Sequence, residues 1–284
     1  MQNGKHDIAT RFSPTERVVL YPGDCADLLK DIPRESVKLV VTSPPYNIGK
    51  EYESRLDLET YLRQQKEVIR ECARVLSPNG SICWQVGNFV DNGSIVPLDI
   101  ALYPVFAEMG FKMRNRIVWH FEHGLHCSRR FSGRYETIVW FTKGEDFTFN
   151  LDPIRVPQKY PGKKHFKGPK AGQYSCNPLG KNPGDVWGDI KQLTYKSKEL
   201  ISRELLNTIQ KPKKLIERLV KASSNMGDLV LDPFAGAGTT LEVCLENGRN
   251  FIGIEINKHY VDLIEKRIKR VEEELSGTLF HTLG

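Results

Sequence analysis

Two short stretches of this chain place chemically useful groups at spacings that folded proteins use for ligands. Leu231-Asp232-Pro233-Phe234-Ala235-Gly236-Ala237-Gly238-Thr239-Thr240 reads as a strand running into a turn with two glycines, with a helix starting at once. Glycine at 236 and 238 lets the backbone approach a ligand closely, as it does in dinucleotide-binding sheets. The third glycine of G-x-G-x-x-G is absent, since position 241 is Leu. Glu255 follows Asp232 by 23 residues, at the end of the next expected strand, where a carboxylate accepts from both hydroxyls of a ribose. Turn, strand, helix and acid together point to a nucleoside cofactor, whereas a glycine turn alone is only a tight turn.

The second stretch, Thr42-Ser43-Pro44-Pro45-Tyr46-Asn47, closes the apolar run Val37–Val41. Two prolines remove two backbone donors and fix the chain, so the groups on offer are acceptors: the Ser43 hydroxyl and nearby carbonyls. Tyr46 adds a flat aromatic face. Acceptors beside an aromatic plate suit the amino group of a planar base. Taken alone, the proline pair serves equally well to end a strand.

Both stretches need a sheet to hold them. Val18–Tyr21 and the β-branched run Val37–Val41 read as strands, with a helical turn around Ala26–Leu29 between them. A helix over Tyr61–Val75 is expected to stop at Pro78-Asn79-Gly80. Ser81–Val86, Arg116–Trp119 and Thr137–Thr142 read as further strands, and Ile100–Met109 as a helix. From Lys143 to about Lys198 neither the two-residue nor the 3.6-residue period persists. Order resumes with helices at Pro212–Ala222, Thr239–Glu246 and Lys258–Leu275 and strands at Leu229–Leu231 and Phe251–Glu255. Alternating strands and helices predict a Rossmann-like α/β fold, a mostly parallel sheet flanked by helices. The expected divisions are 1–142, 143–205 and 206–284.

Composition narrows the setting. The 284 residues suffice for a sizeable core, and nowhere do 18 apolar residues run together, so no membrane span is expected. The N-terminal MQNGKHDIATRFSP lacks the apolar stretch of a secretory signal, so the expected location is cytoplasmic. Cysteines at 25, 72, 83, 127, 176 and 244 form no C-x-x-C pair. Free thiols are the expectation, with no metal, although Cys127 has His123 and His126 nearby. Between Arg155 and Lys198 stand ten Lys or Arg against two Asp, while the remaining chain carries 31 basic and 33 acidic residues. One basic segment on a near-neutral body suggests a polyanion met by one face.

Taken together, the motifs resemble those of the amino-methylating DNA methyltransferases of the permuted β group. That family writes a D/N/S-P-P-Y/F motif first, a target-recognition segment next and F-x-G-x-G last. Here Ser43-Pro44-Pro45-Tyr46 comes first, the basic segment second and Phe234-Ala235-Gly236-Ala237-Gly238 third. Gly23-Asp24, Tyr135-Glu136-Thr137-Ile138-Val139-Trp140-Phe141 and Gln210-Lys211-Pro212 match as well, so the likeness spans residues 17 to 271. Where the family has His-Pro-x-Gln-Lys-Pro, this chain has Asn207-Thr208-Ile209-Gln210-Lys211-Pro212, which removes any contact a His-Pro pair would make.

The resemblance implies the S-adenosylmethionine-dependent methyltransferase fold in circularly permuted order, with S-adenosylmethionine as cofactor and double-stranded DNA as substrate. It implies Asp24 at the adenine and Glu255 at the ribose. Asp232, Phe234, Gly236 and Gly238 would lie at the methionine part, with Gln210, Lys211 and Thr239 also in the cofactor site. Ser43 and the Pro44 carbonyl would accept from the target amino group, with Pro45 fixing the turn and Tyr46 stacking on an extruded base. Plainer readings stand beside these: Asp24 as a helix cap, Phe234 as core, Tyr46 as a surface aromatic. The target is expected to be adenine N6, because Asn47-Ile48-Gly49 continues the motif as adenine enzymes do. Cytosine N4 is the alternative, because Ser43 is the habit of those enzymes. The resemblance also implies a homodimer and leaves a restriction endonuclease partner unknown. Methylation at cytosine C5 is excluded, since no cysteine follows a proline to serve as nucleophile. A non-catalytic DNA-binding protein would have no use for Gly236, Gly238, Glu255 and Tyr46 together.

Overall fold

The computed structural model describes residues 8–47, 55–91, 93–124, 126–202 and 210–281. The chain runs β1 (Val18–Pro22), α1 (Cys25–Asp31), β2 (Val37–Thr42), α2 (Leu58–Val75), β3 (Leu76–Val86), β4 (Asn88–Asp91), β5 (Ser94–Pro97) and α3 (Leu98–Glu108). It continues through β6 (Lys112–His120), β7 (Tyr135–Thr142), β8 (Val186–Trp187), α4 (Lys213–Ser223), β9 (Leu229–Asp232), α5 (Thr239–Glu246), β10 (Asn250–Glu255) and α6 (Lys258–His281).

Eight strands form one sheet in the order β1-β10-β9-β2-β3-β7-β6-β8, and β4 and β5 form a separate hairpin. The pairs β1/β10, β10/β9, β9/β2, β2/β3 and β6/β8 are parallel, and β7 is antiparallel to both its neighbours. Strand β7 is therefore the one reversed strand of this sheet among the described residues. Both faces are covered, as β-branched strands without polar alternation require. Leu28, Ile69, Val75, Leu102 and Phe106 from α1 to α3 form the core of one face, and Leu215, Leu219, Leu241, Ile264 and Ile268 from α4 to α6 form that of the other. Buried Glu242 accepts from Arg267, Arg270 and Lys213, which ties α5 to α6 and α4.

Three departures from the sequence reading have local causes. Residues 77–80 do not separate a helix from a strand: β3 begins at Leu76, directly after α2. Leu76 pairs with Val37 and Ser81 with Leu39, so Pro78-Asn79-Gly80 sits in a bulge of the strand, where a proline removes no ladder bond. The hairpin β4/β5 was not expected. Within the irregular stretch after Lys143, β8 pairs with β6, Trp187 and Ile190 join the core, and Ile154 is buried. No helix among the described residues is long and apolar enough to cross a membrane.

Candidate active site

The two chemical stretches leave neighbouring strands. Leu39 and Val40 of β2 pair with Val230 and Leu231 of β9, so Thr42 and Asp232 end their strands together. The Asp232 carboxylate stitches the two motifs: Oδ1 accepts from Thr42 Oγ1 at 2.6 Å and from the Phe234 amide at 3.2 Å, and Oδ2 accepts from Thr240 Oγ1 at 2.7 Å. Burial nevertheless pushes this carboxyl up to about 6. Two strands away, Gly23 donates its amide to the Glu255 carbonyl at 3.0 Å, which sets Asp24 beside the same opening. Asp24 caps α1 by accepting from the Ala26 amide at 2.9 Å and also lines the cavity.

The cavity between these strand ends measures about 640 Å³. At one end lie Asp24, Asp232, Phe234, Gly236, Thr239 and Glu255. Gly236, at φ 53°, donates its amide to Glu255 Oε2 at 2.8 Å, while Oε1 accepts from the Asn257 amide at 2.8 Å. Burial raises the Glu255 carboxyl to about 7, and nearby Asp232 adds to the rise. Phe234 meets Trp84 edge-on at 6.2 Å and also faces the cavity. Thr239 Oγ1 donates to the Lys211 carbonyl at 3.3 Å.

Two expected residues sit elsewhere. Gly238 (φ 73°) begins α5, and a Cβ there would lie 3.0 Å from Ile264, so its glycine serves the turn and the packing of α6. It is not in the cavity wall. Gln210 is also outside it: Nε2 donates to the Glu199 carbonyl at 2.5 Å and Oε1 accepts from the Ile201 amide at 3.1 Å. The neighbours 207–209, and Ile48 and Gly49 of the other motif, lie outside the described residues.

At the other end of the cavity stand Ser43, Pro44, Pro45 and Tyr46, and with them Lys211. Tyr61 donates its hydroxyl to the Pro45 carbonyl at 2.9 Å. Asn47, at φ 59°, uses its side chain as a clamp: Nδ2 donates to the Leu56 carbonyl and Oδ1 accepts from the Leu56 amide, each at 2.7 Å. Lys211 lies at this end, donating Nζ to Tyr46 Oη at 3.0 Å and to Glu136 Oε2 at 2.8 Å. Glu136 Oε2 also accepts from Tyr46 at 3.0 Å and Gln85 Nε2 at 2.5 Å. Burial alone would raise this carboxyl, but Lys211, Gln85 and Tyr46 hold it below the usual carboxylate range. Sequence reasoning named neither Glu136 nor Gln85, Thr42 nor Thr240 as site residues. The available signal was an acidic residue at the head of an otherwise apolar strand.

The basic segment meets solvent. Its nine lysines are exposed, and only Arg155 is drawn in, donating to Asp152 at 2.7 Å. Val156 and Lys181 exchange two backbone bonds of 2.9 and 2.8 Å, closing a neck below an outward excursion over 157–180. That excursion exposes Phe166 (90%), Tyr160 and Tyr174. His165 lies there too, exposed, whereas Trp187 (4% exposed) is packed in the core under Arg218 and offers no face to a base. Residues 121–124 and 126–134 lie between the end of β6 and the start of β7, on the side of the sheet where β2 and β10 run out towards Ser43 and Glu255. They expose Arg129, Arg130 and Phe131 (98%), which the sequence reading passed over.

A three-layer α/β sheet carrying an acceptor motif and a glycine turn at adjacent strand ends is the methyltransferase fold. Among solved structures, TTHA0409 of Thermus thermophilus, complexed with S-adenosyl-L-methionine, aligns with a TM-score of 0.63 at 28% identity, over 89% of this chain and 93% of that one. The Type II methyltransferase M.BglII of Bacillus subtilis is 51% identical over 257 residues, 90% of this chain and 70% of that protein. The DNA adenine methyltransferase YhdJ of Escherichia coli (strain K12) is 35% identical over 269 residues, 91% of this chain and 85% of its own. A family model described as DNA methylase matches residues 37–266. The chain belongs to this family of N6/N4 DNA methylases.

DNA methyltransferases of this family use S-adenosylmethionine. The residues present fit it. Asp232 and Glu255 are buried carboxylates with no cationic side chain paired to them among the described residues. A ligand carrying positive charge supplies what that end lacks.

Proposed function

We propose that the protein is a site-specific DNA methyltransferase of the permuted β group, acting on the exocyclic amino group of a base swung out of the duplex. One observation carries this: a single cavity joins the carboxylates and glycine turn of 232–255 to the acceptor motif 43–46. Asp24, Asp232, Phe234, Gly236, Thr239 and Glu255 would hold the cofactor, which supplies a methyl group on a good sulfonium leaving group. An exocyclic amino lone pair is conjugated into its ring and is a poor nucleophile. Ser43 Oγ and the Pro44 carbonyl would accept its two hydrogens, favouring a pyramidal nitrogen whose lone pair points at the methyl. This is catalysis by positioning and electrostatics, with no covalent enzyme intermediate. The Tyr46 ring would lie along the base, whose extrusion costs a few kcal/mol.

Adenine N6 is the first reading of the target, supported by the likeness to YhdJ, a DNA adenine methyltransferase. A specific observation favours the second, cytosine N4. The Asn47 side chain clamps Leu56, so the run after the motif bears on loop shape, which leaves Ser43 as the one side-chain acceptor the motif would offer the amino group. Nucleoside mass spectrometry of duplex DNA treated with pure protein and S-adenosylmethionine separates the outcomes. N6-methyladenine supports the first reading and N4-methylcytosine the second. Absence of both with folded protein removes the enzyme assignment.

The dimer belongs here too. The apolar residues of α2 are turned into the core, whereas α3 exposes Ile100 (61%) and Tyr103 (47%) beside Ile95 of β5. A two-fold contact would use that face. Light scattering should give twice the chain mass, reduced to one by Ile100→Glu.

A further inference from the structure

The hydrogen bonds around Tyr46 have a fixed direction. Glu136 is a carboxylate and can only accept. Its Oε2 takes the Tyr46 hydroxyl proton at 3.0 Å, and Lys211 Nζ donates into the Tyr46 oxygen at 3.0 Å. Gln85 turns its amide Nε2 to the same carboxylate at 2.5 Å, the orientation an ionised partner requires. With the single Tyr46 proton committed to Glu136, the 2.8 Å contact between Ser43 Oγ and Tyr46 Oη has one solution, in which Ser43 donates. The Ser43 proton is then engaged by Tyr46 Oη, and both lone pairs of Ser43 Oγ remain to accept.

A serine hydroxyl is ordinarily ambivalent, donor or acceptor as its surroundings dictate. We propose that Glu136 and Lys211, acting through the Tyr46 hydroxyl, hold Ser43 Oγ as an obligate acceptor, so that the site takes an amino group and rejects a keto oxygen at the same ring position. Glu136, Lys211 and Gln85 are positioning residues, and Ser43 is the group that meets the base. This rests on the proposed amino-methyltransferase reading and adds a reason why serine suffices where a carboxylate would otherwise be needed. A keto oxygen would face two lone pairs and leave a buried group unpaired, which sites of this kind reject by about 10- to 100-fold.

The experiment uses Tyr46→Phe and Glu136→Gln in the full chain. Tyr46→Phe keeps the ring and removes only the hydroxyl, so stacking survives while Ser43 is free to turn its proton inward. Glu136→Gln lets an amide donate to Tyr46, which then donates to Ser43. Both variants should melt as cooperative proteins and bind S-adenosylmethionine within about twofold of the parent. Expected is a fall in kcat of about 10- to 100-fold with KM for DNA changed less than threefold. Duplexes carrying the keto analogue of the target (hypoxanthine for adenine, uracil for cytosine) should bind the parent at least about tenfold more weakly than the amino form. That ratio should shrink in Tyr46→Phe. Turnover and discrimination within twofold of the parent in both variants overturn the proposal while leaving the enzyme class intact. A parent protein that methylates no DNA overturns the underlying reading instead.

Discussion

The cavity has two ends, and each buries carboxylates under opposite conditions. Asp232 and Glu255 lie among backbone amides and threonine hydroxyls with no paired cation among the described residues, and burial raises them to about 6 and 7. Glu136, with 21% of its side chain exposed, has Lys211 at 2.8 Å and is held low. The difference separates two tasks. The Glu136 end is complete within the protein and rigidly charged before any ligand arrives. The Glu255 end is electrostatically unfinished, and a positively charged ligand completes it.

The comparison can be broken at either end. Gly236→Val should have the largest effect, since φ 53° is unfavourable for a β-branched residue and the turn adjoins the cavity. Cofactor affinity should fall at least about 100-fold with the melting transition still cooperative. Unchanged affinity would detach the glycine turn from the cofactor. Lys211→Met comes next and tests which end owns this lysine. It leaves the Glu136 carboxylate uncompensated, lowering stability by about 2 to 3 kcal/mol and kcat by about 100-fold, with cofactor affinity kept. Loss of cofactor affinity instead would return Lys211 to the other end.

A smaller effect follows from pH. Glu255 and Asp232 lie above their ordinary values of 4.5 and 3.8, so the folded protein holds these protons more tightly than the unfolded chain. The stability they confer is present below pH 4 and is lost as pH rises through 6 to 7. A cationic ligand favours the ionised forms, so calorimetry should show affinity for S-adenosylmethionine rising about tenfold from pH 5.5 to 8, and less in Glu255→Gln. A flat profile would mean that these carboxylates do not face the cofactor's charge. The mildest change is at the surface. Replacing both Lys163 and Lys167 by Ala should weaken DNA binding evenly across sequences and lower the salt slope by about 2. A slope that stays put would place the phosphate contacts elsewhere, with Arg129 and Arg130 next to be tried.

Much of this was legible because it is local. Val37–Val41 is short, β-branched and stopped by prolines, and the helix Thr239–Glu246 starts at a glycine turn, so both elements appear in the structure where the pattern puts them. Ser43 and Gly236 reach the cavity wall because they directly follow these local signals. What escaped depends on pairing across the chain. Nothing near Lys211 announces that it meets Glu136, 75 residues earlier. Gly238 and Gln210 matched a motif, yet packing against α6 and the tie to 199–201 account for them. Trp187 stands in a polar stretch, and only the pairing of a two-residue edge strand draws it into the core.

The neck formed by Val156 and Lys181 bears on how the excursion above it can vary. The residues between them lie largely at the surface, while Trp187 and Ile190 belong to the core and Ile154 is buried. The unit that could be traded between relatives is therefore 157–180 and not the whole irregular stretch. Loops whose ends are already held together accept replacement and lengthening at small thermodynamic cost. On the proposed function, in which this segment meets the DNA, selection could redraft the lettering of the target site within the excursion and leave the cavity untouched.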